Sequence, residues 1–176
     1  VASGPDGFGL AVMENYTADA ACGFRFVRLD PDLGGVTMSG ILGPGVGLDV
    51  DWAGDGWSTS MMIANVDAYE YVSSELCISR FDGSGALARA PICETVSGDG
   101  FVTGGASRIA AGGGGLTILY EEMDSDYMLP GRLEMVSADM SGAAVLPAVL
   151  VGTFPEIGGV FNIAWADDGF GVLYKK

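Results

Sequence analysis

The sequence predicts an all-β protein, an array of four-stranded antiparallel sheets with three complete and a fourth cut to two strands. Two observations lead there. A short motif recurs four times: an apolar or small stretch, a tight acidic or glycine-rich turn, then a large apolar residue. It reads SGPDGF (3–8), DWAGDGW (51–57), AAGGGGL (110–116) and AWADDGF (164–170). Between the copies lie short runs of Val, Ile, Leu and Phe cut by turn residues, with 29 Gly in all and no long stretch keeping a helical period.

The turn glycines Gly7, Gly56, Gly115 and Gly169 recur at intervals of about 50 residues, a period that marks a stacked array. The elements repeat in the same order. The strand after each glycine is FGLAVMEN, WSTSMMIAN, LTILYEEM or FGVLYKK. A polar segment follows, then a third strand ending in an acid and a turn: FRFVRLDPDLGG, LCISRFDGSGA or LEMVSADMSGA. The fourth strand is VTMSGIL, ALARAPIC or AAVLPAVL, and a connection leads into the next first strand, VGLDVDWA, ASRIAAG or FNIAWAD. The units fall near 1–49, 50–108 and 109–162, with a partial unit at 163–176, all in one repeat domain. Asp55-Gly56 and Asp168-Gly169 read as hairpin turns, because both central residues of the favoured two-residue turn need positive φ. Asp82 and Asp139 read as openers of the later turns.

One such sheet cannot cover both its faces, so the units stack face to face around an axis, with the short first strands innermost. A β-sandwich built from the same hairpins is the alternative. Asp55-Gly56-Trp57, Asp168-Gly169-Phe170 and the turn led by Arg80-Phe81-Asp82 carry a resemblance: the chain resembles the β-propeller blade repeats of large secreted or surface-exposed bacterial proteins. The resemblance implies a propeller-like fold and a secreted or cell-surface location, and says little about chemistry. Propellers close with 4–8 blades. Three units and a half therefore imply a homo-oligomer or the remainder of a larger propeller as partner.

The formal charge is −15, from 23 acids and 8 bases, with no His. Phosphate needs a basic surface, so nucleic acid is excluded, as are anionic membranes. No apolar run approaches the ~20 residues of a membrane-inserted helix. Without His there is no Ser-His-Asp or Cys-His site. The cysteines, Cys22, Cys77 and Cys93, lack the paired spacing of a zinc site. Cys77 and Cys93 lie on neighbouring strands of one unit and are expected to form a disulfide. Simple register sets Cys77 nearer Ala90, so the bond needs a bulge near Pro91. Three reduced thiols are the alternative.

An integrin-type calcium loop needs Asp at alternate positions before Gly. Asp30-Pro31-Asp32 has two, and the DGSG and DMSG counterparts one each, so all three read as turns. Calcium is the only ion these loops bring to mind, and no cofactor is expected.

The long segments between second and third strands, and between units, share one rim, the usual seat of function on a rigid scaffold. They carry Tyr16, Tyr69, Tyr71 and Tyr127 beside Glu70, Glu121, Glu122, Asp124 and Asp126. Tyrosine with carboxylate suits recognition of sugars or protein. Glycosidases need two carboxylates held a few ångströms apart, but nothing pairs these with a base or a substrate clamp. The expectation is a non-enzymatic extracellular binding module for a glycan or protein ligand. The alternative is an assembly subunit that joins other chains into a ring or fibre. Asn15-Tyr16-Thr17 would be a glycan acceptor in a eukaryotic secreted protein.

Overall fold

A computed structural model describes residues 1–14, 23–43, 45–67, 70–97, 101–124, 130–142, 146–154 and 160–175. Every regular element among them is a β-strand. The first sheet holds β1 (Ala2–Gly4), β2 (Gly7–Glu14), β3 (Gly23–Leu29) and β4 (Val36–Met38). The second holds β5 (Val46–Trp52), β6 (Gly56–Asp67), β7 (Glu70–Asp82) and β8 (Leu87–Ser97). The third holds β9 (Phe101–Gly112), β10 (Gly115–Asp124), β11 (Gly131–Asp139) and β12 (Val149–Phe154). The fourth is the hairpin β13 (Phe161–Ala166) and β14 (Gly169–Tyr174). Within each sheet the strands lie in chain order and pair antiparallel. Three four-stranded sheets and a two-stranded one are thus present. Each first strand begins some residues ahead of the unit boundaries drawn at 49/50, 108/109 and 162/163.

The repeated turn differs in detail from the sequence reading. The closing pairs are Gly4↔Gly7, Ala166↔Gly169 and Gly112↔Gly115, and Ala53 donates its N–H to the Gly56 carbonyl at 2.7 Å. The two central residues are therefore Gly54-Asp55 and Asp167-Asp168, not Asp-Gly. Gly113 and Gly114 alone both take positive φ. Gly56 is glycine for another reason. A Cβ there would lie 2.1 Å from the Phe81 carbonyl oxygen, on the neighbouring third strand. The same holds at Gly7 against Leu29 O (2.1 Å), and less tightly at Gly115 against Ala138 O (2.9 Å). At Gly169 nothing lies within 4 Å, because among the described residues no third strand lies beside β14.

The sheets pack in chain order. Phe26 of the first stacks on Phe81 of the second (centroids 4.3 Å apart) and tilts against Trp57 (5.8 Å). Met62, Leu76 and Ile78 of the second meet Ile118, Tyr120 and Val136 of the third. Leu119, Leu133 and Phe154 of the third meet Phe161 and Ile163 of the fourth. The residue after each turn glycine faces the preceding sheet: Trp57 the first, Leu116 the second, Phe170 the third. Glycines make room at two of these joints. A Cβ at Gly9 would lie 2.5 Å from Trp57, and one at Gly112 2.1 Å from Trp165.

A disulfide joins Cys77 and Cys93, which stand directly opposite across β7 and β8. Two shifts align them: β8 carries one extra residue at Ala88, between Phe81↔Leu87 and Arg80↔Arg89, and a second at Ala90-Pro91, between Arg80↔Arg89 and Ile78↔Ile92. Proline has no N–H to lose from the ladder, so the irregularity costs little there. Cys77 is buried against Phe24 and Met61. Cutting this cross-link with Cys93→Ala keeps the small apolar Cys77 in place. For a closed loop of this length the loss is about 3 kcal/mol. Urea unfolding of the variant should show it, and a change below about 1 kcal/mol would mean the ladder alone holds the hairpin.

Candidate functional site

The first strands of all four sheets, β1, β5, β9 and β13, border one hollow of about 830 Å³. Each is an inner edge strand, so its outward N–H and C=O groups lack a ladder partner and need another. Side chains on β5 supply it for β9. Asp49 Oδ2 accepts from the Ile109 N–H at 3.1 Å, and Asp51 Oδ2 from the Ala111 N–H at 2.8 Å. Asp51 Oδ1 also accepts from the Trp52 N–H at 2.8 Å. Behind them Ser107 donates to the Gly47 carbonyl, and its Oγ lies 3.0 Å from Ser60 Oγ, both serines being buried. Burial raises the Asp51 carboxyl above its ordinary value against the pull of those two N–H bonds.

Two further polar side chains on the hollow are also engaged. Arg108 donates to the Ser107 carbonyl at 2.7 Å and lies 5.8 Å over the Phe161 ring, a cation–π distance. Asn162 Oδ1 accepts from the Ile163 N–H at 2.9 Å. Trp52 and Trp165 border the same hollow, each edge-on to the aromatic residue across its hairpin, Trp57 and Phe170. The hollow thus offers indole surface, two carboxylates, a guanidinium and an amide.

Glu121 and Glu122 are not on an exposed rim. They lie within β10, and both are buried, Glu122 only 5% exposed. LTILY and its β-favouring residues carry the strand on past the point where acids suggested a loop. Glu122 shares the face that carries Tyr120 and Ile118 toward the second sheet, opposite Arg132, with Glu134 opposite Tyr120. Burial pushes Glu122 up to about 7, with the Glu134 charge adding and Arg132 opposing. Burial also raises Glu134, and it raises the Tyr120 phenol with help from both glutamates. Tyr120 Oη and Glu122 Oε1 have no hydrogen-bond partner among the described residues. Such a carboxyl is held protonated near neutrality.

The rest of the expected tyrosine rim falls mostly outside the described residues: Tyr16, Tyr69, Asp126 and Tyr127 do. Glu70 opens β7 opposite Asp67, Tyr71 stands opposite Val66, and Asp124 ends β10 opposite Phe101. The second unit's segment expected as a long loop between its second and third strands is therefore strand on both sides of residues 68 and 69.

The acidic turns are turns. Asp82 Oδ1 accepts from the Ser84 N–H, the Ser84 hydroxyl and the Ala86 N–H at 2.6–3.0 Å, and the Ser84 hydroxyl leads in lowering its pKa. Asp139 holds Ser141 in the same way. Asp30 pairs with Arg28 at 2.5 Å, and Asp32 accepts from the Gly34 N–H. Among the described residues one set of metal-ligating atoms clusters, Glu75 with Cys77 and Cys93, but the two sulfurs are joined and offer no thiolate. No helix among the described residues is long and apolar enough to cross a membrane.

No protein-family model matches the chain, and no curated protein or solved structure matches it either.

Proposed function

We propose that the four sheets are consecutive blades of a β-propeller-type array, and that the chain is a non-enzymatic extracellular binding module for a glycan or protein ligand. The observation that carries this reading is the shared hollow. Four first strands from four sheets border one space, as radial blades do and as the two facing sheets of a sandwich do not. Indole rings beside fixed polar groups suit a sugar, whose apolar ring face and hydroxyls need both. Asp49 and Asp51 are each engaged in holding β9 N–H groups, which supports a binding role over acid–base chemistry. The Cys77–Cys93 disulfide supports an oxidising, extracellular setting.

Glycan-array screening of the full chain tests this. Asn162→Leu and Ser3→Val address the hollow, and Tyr69→Ala and Tyr127→Ala address the loops. A glycan whose binding falls about tenfold in either set supports the reading. Binding unchanged in both sets would sink it.

A second reading, an assembly subunit, is favoured by one observation. Among the described residues no sheet packs on the face of Phe8, Leu10, Val12, Val27 and Leu29, because Gly9, Ala11 and Phe26 on the other face meet the second sheet.

A further inference from the structure

We propose that Glu75, Cys77 and Cys93 form a site for a thiophilic divalent cation of the Zn²⁺ type, closed while the Cys77–Cys93 disulfide is intact and opened when a dithiol reduces it. The site shares no residue with the hollow and does not rest on the glycan or protein reading.

The two cysteines are 16 positions apart in the chain, and the register of β7 and β8 sets them opposite each other. Glu75 stands two positions before Cys77 on one strand, so both side chains leave the same face. A carboxylate oxygen of Glu75 and the two sulfurs all lie within 4.8 Å of one another. A tetrahedral zinc bonds sulfur at about 2.3 Å and oxygen at about 2.0 Å, which sets its ligand atoms about 3.5–3.8 Å apart. Ladder pairs flank the cysteines on both sides, Ile78↔Ile92 and Leu76↔Glu94. The strands therefore keep the sulfurs side by side when the bond between them opens, and side-chain rotation brings them to the metal spacing.

The surroundings favour a bound cation over free groups. Glu75 is half-buried opposite Ile63 and makes no hydrogen bond or ion pair with the described residues. A carboxylate so placed gains from a positive partner. Cys77 is buried against Phe24 and Met61, where a bare thiolate is costly and a metal-bound one is neutralised. Two thiolates select a soft or borderline metal over calcium or magnesium. Three protein ligands leave a fourth position for water on the side of Cys93, which is exposed on the edge strand β8.

That exposure also gives the reductant its entry. A thiolate of the dithiol attacks Cys93 Sγ, the S–S bond breaks, and Cys77 leaves as thiolate. The second thiol of the reductant then displaces Cys93 from the mixed disulfide. Two electrons pass to the cysteine pair, and the dithiol departs as its own disulfide. Zn²⁺ takes both sulfurs as thiolates, and their two protons go to solvent.

The test uses the full chain with Cys22→Ser, so that no third thiol competes. Reduced with a phosphine, which carries no thiol of its own, and titrated with Zn²⁺ in the absence of oxygen, this parent should bind one ion per chain. The oxidised parent should bind at least about a hundredfold more weakly. Co²⁺ in place of Zn²⁺ should give a thiolate-to-metal charge-transfer band. Glu75→Gln should weaken Zn²⁺ binding about tenfold and Cys93→Ala about a hundredfold. Glu94→Gln, beside Cys93 but paired with Leu76, should leave binding unchanged, which separates this site from general attraction to an acidic chain. If reduction loosens the fold, one equivalent of Zn²⁺ should restore the far-UV circular dichroism of the oxidised chain. A reduced parent that takes up no Zn²⁺, a Glu75→Gln variant that binds as tightly as the parent, or a loosened fold that Zn²⁺ does not restore overturns the proposal. Glycan binding is measured on the oxidised chain, so either reading can fail alone.

Discussion

Glu122→Gln raises the stability of this chain in mild alkali and leaves it unchanged in acid. The folded chain holds the Glu122 carboxyl up at about 7 from an ordinary 4.5, chiefly through burial. A raised folded pKa means that the folded state keeps a proton the unfolded chain releases. The stability linked to that proton is complete below about pH 4.5 and is lost as pH rises through about 7. Above that, folding must bury a carboxylate whose Oε1 has no partner among the described residues. Glutamine keeps the shape and is neutral throughout. The expected gain at about pH 8 is roughly 2–3 kcal/mol, fading to nothing near pH 4.5. Urea midpoints of both proteins across that range read it directly. Parallel pH curves for the two would show that Glu122 does not carry the effect.

Two alanines at the same place in the repeat should behave as opposites. Gly56→Ala pushes a methyl to 2.1 Å from the Phe81 carbonyl oxygen, with Phe81 C and Asp82 Cα at 3.2 Å. All three are backbone, so the relief is a shift of β7 and a broken ladder. The cost is about 3 kcal/mol, at the upper end of overpacking. Gly169→Ala meets no atom within 4 Å and takes no positive φ. It should be neutral, or stabilising by about 0.5 kcal/mol through the unfolded chain. Equal losses in the two variants would show that the turn itself, and not the third strand, demands glycine.

That contrast shows what the sequence could and could not say. The strand order and the repeat were legible because turn residues and apolar runs recur in phase. The glycine signal was legible too, but its cause was not. Nothing local distinguishes a glycine needed for a turn from one needed beneath a neighbouring carbonyl. The disulfide was legible with one of the two shifts that align it, since Pro91 marks where a ladder gives way, but the extra residue at Ala88 was not. Glu121 and Glu122 misled because two acids before a polar segment look like a loop. Their burial follows from the length of β10 and from Arg132 across the ladder, a pairing visible only once the register is known. Asp49 and Asp51 were missed as site residues, because their partners are backbone N–H groups sixty positions away.

Every described strand pairs only with strands next to it in the chain, and each sheet packs mainly on the sheets before and after it. For an all-β protein that makes the contacts unusually local. Little loop-closure entropy stands in the way of any one hairpin, so folding should be quick for this class and divisible into steps. The second and third sheets, with neighbours on both sides and the Asp49 and Asp51 bonds between them, are the natural nucleus. Among the described residues the fourth sheet is a hairpin packed on the third alone, so within this chain its amide hydrogens should exchange soonest. Kinetically the chain resembles a short stack of tiles more than a single knot, and a mutation in one tile is felt mainly by the two beside it.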